Sequence, residues 1–167
     1  VVTANKAMIA RHGARLAALA EANDAQLAFE AAVAGGIPIL KALKEGLAGN
    51  DVERVHGILN GTCNFILTEM LSTGRAFDDV LKEAQDLGYA EADPGFDIDG
   101  VDAAQKLAIL SGIAFGAAPD IDAVETSGIR NVSALDIMFA KELGYRIRLL
   151  GVAAKSATGV EQRVSAC

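Results

Sequence analysis

Asp102 and Lys106 stand four residues apart and have the types and spacing for proton chemistry. On a helix that separation puts both side chains on one face. The carboxylate would hold the ammonium in place and favour its charged form, making a positioned proton donor for a developing alkoxide. On an open surface the same pair is a salt bridge worth about 0.3–0.5 kcal/mol. The pair ends an acidic stretch in which Glu91, Asp93, Asp97, Asp99 and Asp102 place five carboxylates within 12 residues. Composition alone also reads such a run as a solvated loop whose acids favour the positive end of the next helix. A calcium loop does not fit. With Gly100 at the invariant glycine, Gly95 falls on the first ligand position and Lys106 on the last, where a bidentate Glu is required.

Two further segments have chemical potential. Gly57-Ile58-Leu59-Asn60-Gly61-Thr62-Cys63-Asn64 reads as a strand breaking into a helix. The free N–H groups of that helix start, with Asn60, Thr62 and Asn64, could receive a carboxylate or phosphate; the same residues also suit an ordinary capped helix. Asn60 and Thr62 are therefore candidate substrate contacts. Phe29 to Pro38 carries Glu30 ahead of the Gly35-Gly36 turn, where carbonyls beside one carboxylate could bind a hard cation. The other reading is a strand, turn and helix with one exposed acid. Cys63 has no basic neighbour to activate it and reads as a packed residue. His12 and His56 have no ligand partner in sequence and read as structural. No Gly-x-Gly-x-x-Gly, Walker loop or nucleophile elbow occurs.

The elements that must position these residues follow from periodicity. Val1 to Thr3 reads as the end of a strand. Thr3 or Asn5 caps a helix to about Glu21 whose one side carries Ile9, Leu16 and Leu19. The alternation of Leu27, Phe29, Ala31 and Val33 predicts a half-buried strand. Pro38 opens the next helix, which Gly49-Asn50 ends. Val52 to Leu59 reads as a strand, followed by a helix that closes at Gly74. Asp78 to Leu87 predicts another helix, then comes the acidic loop, and the longest helix is expected from Gly100 to Phe115. A short helix follows Ser133. Tyr145 to Lys155 and Val160 to Ala166 predict two adjacent, hence antiparallel, strands around Thr158-Gly159. The expectation is an α+β fold in one domain, residues 1–167, with a mixed, partly antiparallel sheet covered by helices.

At 167 residues, 51% hydrophobic and 22% charged, the chain has the composition of a globular domain with a sizeable core. A net charge of −7, with Lys and Arg scattered among acids, argues against nucleic-acid binding. No apolar run approaches the roughly 20 residues of a membrane span. Two distant cysteines, Cys63 and Cys167, do not make a disulfide framework or a zinc site, so a reducing cytoplasm is the expected compartment. The chain opens on Val1-Val2-Thr3 and stops at Cys167 inside an apparent strand, which reads as a fragment.

Together these segments resemble the homoserine dehydrogenase family. Val1 to Ala7, Phe29 to Pro38, Gly57 to Asn64 and Gly88 to Lys106 match four of its segments in order, across nearly the whole chain. The resemblance implies a glyceraldehyde-3-phosphate-dehydrogenase-like catalytic domain that binds substrate and dimerises. It implies interconversion of L-aspartate 4-semialdehyde and L-homoserine with NADP or NAD, in threonine, methionine and isoleucine biosynthesis. By position, Lys106 matches the proton donor, and Asp102, Glu91 and Asp97 match the polar substrate site. Lys6 and Gly88 match cofactor contacts, and Glu30, Val33, Gly35 and Ile37 match a monovalent-cation site, expected to hold Na+. A homodimer is implied. The family's glycine-rich nucleotide-binding domain is not among these residues, so this stretch alone is expected to be inactive. A reading from another class is a non-catalytic oligomerisation module, or one that binds an amino acid or a cation.

Overall fold

The computed structural model describes residues 1–167. They group into two compact units. The first takes in Val1–His56, Ala104–Glu125 and Val152–Arg163; the second takes in Gly57–Ala103, Thr126–Gly151 and Val164–Cys167.

In the first unit, α1 (Lys6–Ala22) begins at Asn5, whose side chain accepts the Met8 N–H at 3.0 Å. Such a cap satisfies a donor that the first helical turn leaves unpaired. At 17 residues α1, not the helix that ends at Phe115, is the longest. Its apolar face is narrower than the pattern suggests: Ile9 and Ala10 are buried, while Leu19 is half exposed. The strand expected over 27–33 does not form. Ala28 makes one isolated parallel bridge to Val2, and Ala31–Ala34 is instead a helical turn, α2. Alanine favours helix over strand. The carboxylate of Glu30 also ties this turn to α3 (Ile39–Lys41), accepting the Leu40 N–H at 2.8 Å and the Lys41 N–H at 3.0 Å. A π-helical turn, Ala42–Gly46, continues α3.

The second unit is organised around α4 (Gly61–Thr73), which buries Cys63, Ile66, Leu67 and Met70 at helical spacing. Full burial of each large side chain contributes about 1.5–3 kcal/mol. α4 packs against α5 (Phe77–Asp86), α6 (Gly95–Ile98) and α8 (Ala134–Glu142). The short helix α6 lies inside the stretch expected to be loop. Ser133 and Asp136 form a reciprocal cap at the start of α8, and the Ser133 hydroxyl and N–H hold the Asp136 carboxyl below its ordinary range. Asn64, one turn into α4, is spent on structure: it donates to the Asn60 carbonyl and exchanges hydrogen bonds with the Leu149 backbone.

Between these elements of sequence runs α7 (Val101–Phe115), where Ala103, Ala104, Leu107, Ala108, Ile109 and Leu110 are all buried. A helix apolar on most sides belongs in a core. The sheet holds β1 (Arg54–Gly57), β2 (Glu125–Thr126), β3 (Leu149–Ser156) and β4 (Gly159–Ala166) in the order β1-β3-β4-β2. β3 and β4 form the expected hairpin. Arg148 and Cys167, just beyond its strands, exchange N–H···O bonds of 2.8 and 2.9 Å, an antiparallel pairing. β2, only two residues long, has no periodic signal to announce it.

A close approach fixes the turn between α6 and α7. The Ile129 N–H donates to the Ile98 carbonyl at 2.8 Å, which lays residues 127–129 against the end of α6. A Cβ on Gly128 would overlap the Ile98 carbonyl oxygen and the Asp99 backbone. Gly100, at φ +85, turns the chain into α7, and a Cβ there would press on Thr126 and Val164 at 3.1 and 3.2 Å. Gly128→Ala is therefore expected to destabilise the fold by about 2 kcal/mol or more, against little change for Gly49→Ala, where the space is open. Urea unfolding midpoints measure the difference.

Cys63 is fully buried, and its thiol donates to the Asp97 carbonyl at 3.1 Å. Burial, then the neighbouring charges of Asp97, Asp102 and Asp99, push that thiol up to about 12. A thiol reagent at neutral pH should label exposed Cys167 and spare Cys63 until the fold is unfolded, as peptide mass mapping would read out.

Candidate active site

The strand β1 ends at Gly57 and the chain reaches Asn60 in extended conformation, where its side-chain oxygen accepts the Cys63 N–H at 2.9 Å and starts α4. The amide nitrogen of the same side chain points the other way. It donates to Asp97 Oδ1 at 2.7 Å and to Asp102 Oδ2 at 3.0 Å. Asp97 comes from α6 and Asp102 from the first turn of α7, so the glycine-dependent turn between those helices sets the spacing of the two acids. Asn60 is 4% exposed and Asp102 is 5% exposed. The buried Asp102 and the half-buried Asp97 both accept from this one amide.

Lys106 follows Asp102 by one turn of α7 and is half-buried. The pair that sequence spacing singles out is thus on one helix face, with its acid in the interior rather than on a solvated loop.

The rest of the acidic stretch is held by its backbone. Gln85 on α5 donates to the Glu91 carbonyl at 3.0 Å and the Ala92 carbonyl at 3.3 Å, which leaves the exposed Glu91 carboxylate available to a ligand. Thr62 donates its hydroxyl to the Tyr89 carbonyl at 2.9 Å. The Tyr89 ring meets Phe65 edge-on at 4.9 Å between centroids. Thr62 therefore braces the loop as well as standing at the helix start. Gly88 is exposed with open space where a side chain would sit, so a ligand can approach its backbone closely.

Arg130 pins the far side of the stretch. Its guanidinium pairs with Asp99 through both Nε and Nη2, the second contact at 2.9 Å, and this holds the Asp99 carboxyl below its usual range. Sequence reading missed Arg130, because nothing local links residues 31 apart. Tyr89, 27 residues from Thr62, was missed for the same reason, and Gln85 because a side chain bonding carbonyls six and seven residues on leaves no periodic signal.

The structure thus gathers Asn60, Asp97 and Asp102 in contact, with Thr62, Gly88 and Glu91 in the same unit. Lys6, Glu30, Val33, Gly35, Ile37 and Lys106 belong to the first unit. Lys6 opens α1 and is half-buried. Glu30 is engaged by two backbone N–H groups, so it is not the free exposed acid of the simpler reading. His12 and His56 are exposed. No group of three or more His, Cys, Asp or Glu side chains is arranged to hold a metal ion. No helix is long and apolar enough to cross a membrane.

Known proteins match this arrangement. The family model described as homoserine dehydrogenase matches residues 38–167. A homoserine dehydrogenase from Neisseria gonorrhoeae is 56% identical over 164 residues, 98% of this chain and 38% of that protein. The crystal structure of a homoserine dehydrogenase from Thiobacillus denitrificans superposes with a TM-score of 0.98 at 57% identity, covering 99% of this chain and 38% of that one. A hyperthermophilic archaeal homoserine dehydrogenase in complex with NADPH superposes with a TM-score of 0.85 at 36% identity, covering 100% of this chain and 47% of that one. The chain thus spans 38% of the length of its curated relative, and its α+β architecture is that of the relatives' matching part. A match over residues 38–167 takes in Asn60, Asp97, Asp102 and Lys106 alike, and the chain belongs to the homoserine dehydrogenase family.

Proposed function

We propose that the protein carrying this chain reduces L-aspartate 4-semialdehyde to L-homoserine, and runs the reverse reaction, with NADP or NAD as cofactor. This belongs to the cytoplasmic biosynthesis of threonine, methionine and isoleucine. Family membership supports the reaction, and one observation about the site carries it: a buried Asp102, one helical turn before Lys106, is joined to Asp97 by a single amide.

The bound nicotinamide supplies the hydride that reduces the aldehyde carbon. This chain's residues do the rest. Negative charge gathers on the aldehyde oxygen, and Lys106 holds a proton at that atom while Asp102, one helical turn before it, orients its ammonium group. Glu91 and Asp97 suit the substrate's own ammonium group, and Thr62, at the start of α4, is a further candidate contact. Lys6 and the open backbone of Gly88 suit contacts to the cofactor.

The carbonyls of Val33, Gly35 and Ile37 with Glu30 would supply an all-oxygen set of the kind a hard monovalent cation takes, here Na+. Each Glu30 oxygen accepts one N–H and keeps acceptor capacity for a cation. Such an ion would brace the turn between α2 and α3. The working form is proposed to be a homodimer through this domain. In support, α8 and the residue after it expose Leu135, Met138, Phe139 and Leu143, an apolar surface better covered by protein than by water.

The direct test is steady-state turnover of the full-length protein carrying this chain. Lys106→Ala should lower kcat by about 10²-fold or more while the fold survives. Unchanged turnover would transfer support to a non-catalytic binding module. Glu91→Gln should raise KM for the semialdehyde about 10-fold and leave NADPH affinity intact, as loss of one charge-assisted contact predicts. Equal loss of both affinities would contradict the assigned role.

A further inference from the structure

We infer that Asn60 is a positioning residue for the reaction rather than a substrate contact: its one side chain sets the separation and orientation of Asp97 and Asp102. The inference rests on the proposed reaction and concerns the same site.

The hydrogen-bonding capacity of the side chain carries it. An amide offers two N–H donors and one acceptor oxygen. Both donors of Asn60 are used, one on Asp97 at 2.7 Å and one on Asp102 at 3.0 Å, and the oxygen accepts the Cys63 N–H at 2.9 Å. The residue is 4% exposed. No donor of the side chain is left for a substrate. The two acids come from different helices, α6 and α7, and each accepts from the same nitrogen, so a shift of either one breaks its bond to Asn60. The acceptor side fixes the nitrogen in turn, because it is locked to the first turn of α4, whose positive end favours nearby carboxylates. Asp102 then stands one turn from Lys106 with its direction already set.

Capping and positioning can be separated. Ser and Asp cap helices about as well as Asn, but neither supplies the two N–H donors. In the full-length protein, Asn60→Ser and Asn60→Asp should both lower kcat for L-aspartate 4-semialdehyde by about 10- to 100-fold, the cost of misplacing reacting groups by an ångström or less. NADPH affinity should be unchanged, and kcat is referred to the folded fraction, because a retained cap does not replace the donors that Asp97 and Asp102 lose. If Asn60→Asp does not fold, Asn60→Ser alone decides. A raised KM with kcat preserved would make Asn60 a substrate contact and overturn the inference. So would unchanged kinetics, or a loss of kcat that merely tracks loss of folded protein. A wild-type protein that turns over no semialdehyde removes the proposed reaction and this inference with it. An active wild type with unaffected variants removes this inference alone.

Discussion

A carboxylate taken out of water has to be given donors, and here one neutral amide serves the buried Asp102 and the half-buried Asp97 together. Asn60 binds Asp97 and Asp102 together, linking the start of α4 to α6 and α7. A neutral donor satisfies the oxygens without cancelling their charge. The site therefore keeps its negative potential. That potential is what the proposed reaction uses twice, to orient a lysine ammonium group and to attract the ammonium group of an amino-acid substrate.

The surrounding packing follows from this constraint. Asp97 and Asp102 lie on either side of a turn that passes against residues 127–129, and Gly100 and Gly128 make that passage possible. Cys63 fills the space beneath with a thiol too buried and too close to acids to ionise, donating to the Asp97 carbonyl. Arg130 holds Asp99 away from the pair by taking it into a separate ion pair at the surface. Gln85 and Thr62 anchor the backbone on the other side through carbonyls, which leaves the Glu91 side chain unconstrained. Rigid backbone beneath a free carboxylate suits a group that must meet a ligand.

The first unit uses an acid differently. Glu30 spends both oxygens on the N–H groups that open α3, and so joins two short helical turns across Gly35 and Gly36. That tie explains why the alternating residues before it do not extend into a strand. Local β periodicity is weak in an alanine-rich stretch, and a carboxylate that caps a following helix pulls the backbone into turns. Alternation in sequence was misleading here because it had no partner strand beyond the single bridge at Ala28.

Much of this protein was legible from residue order alone. The caps at Asn5, Asn60 and Ser133, the stop at Gly74 and the hairpin around Thr158-Gly159 are local devices, set by neighbours a few residues away. The family was legible because four ordered segments matched, and the spacing of Asp102 and Lys106 put both on one face of α7. What sequence could not supply was the partner of each side chain across long separations. Asn60 looked like a ligand contact and is a buried cross-link to residues 37 and 42 positions away; Asp99 looked like one more loop acid and belongs to Arg130. Local hydrogen bonds depend on spacing along the chain, which sequence records. Contacts between distant segments depend on how helices pack, and only the folded chain decides that.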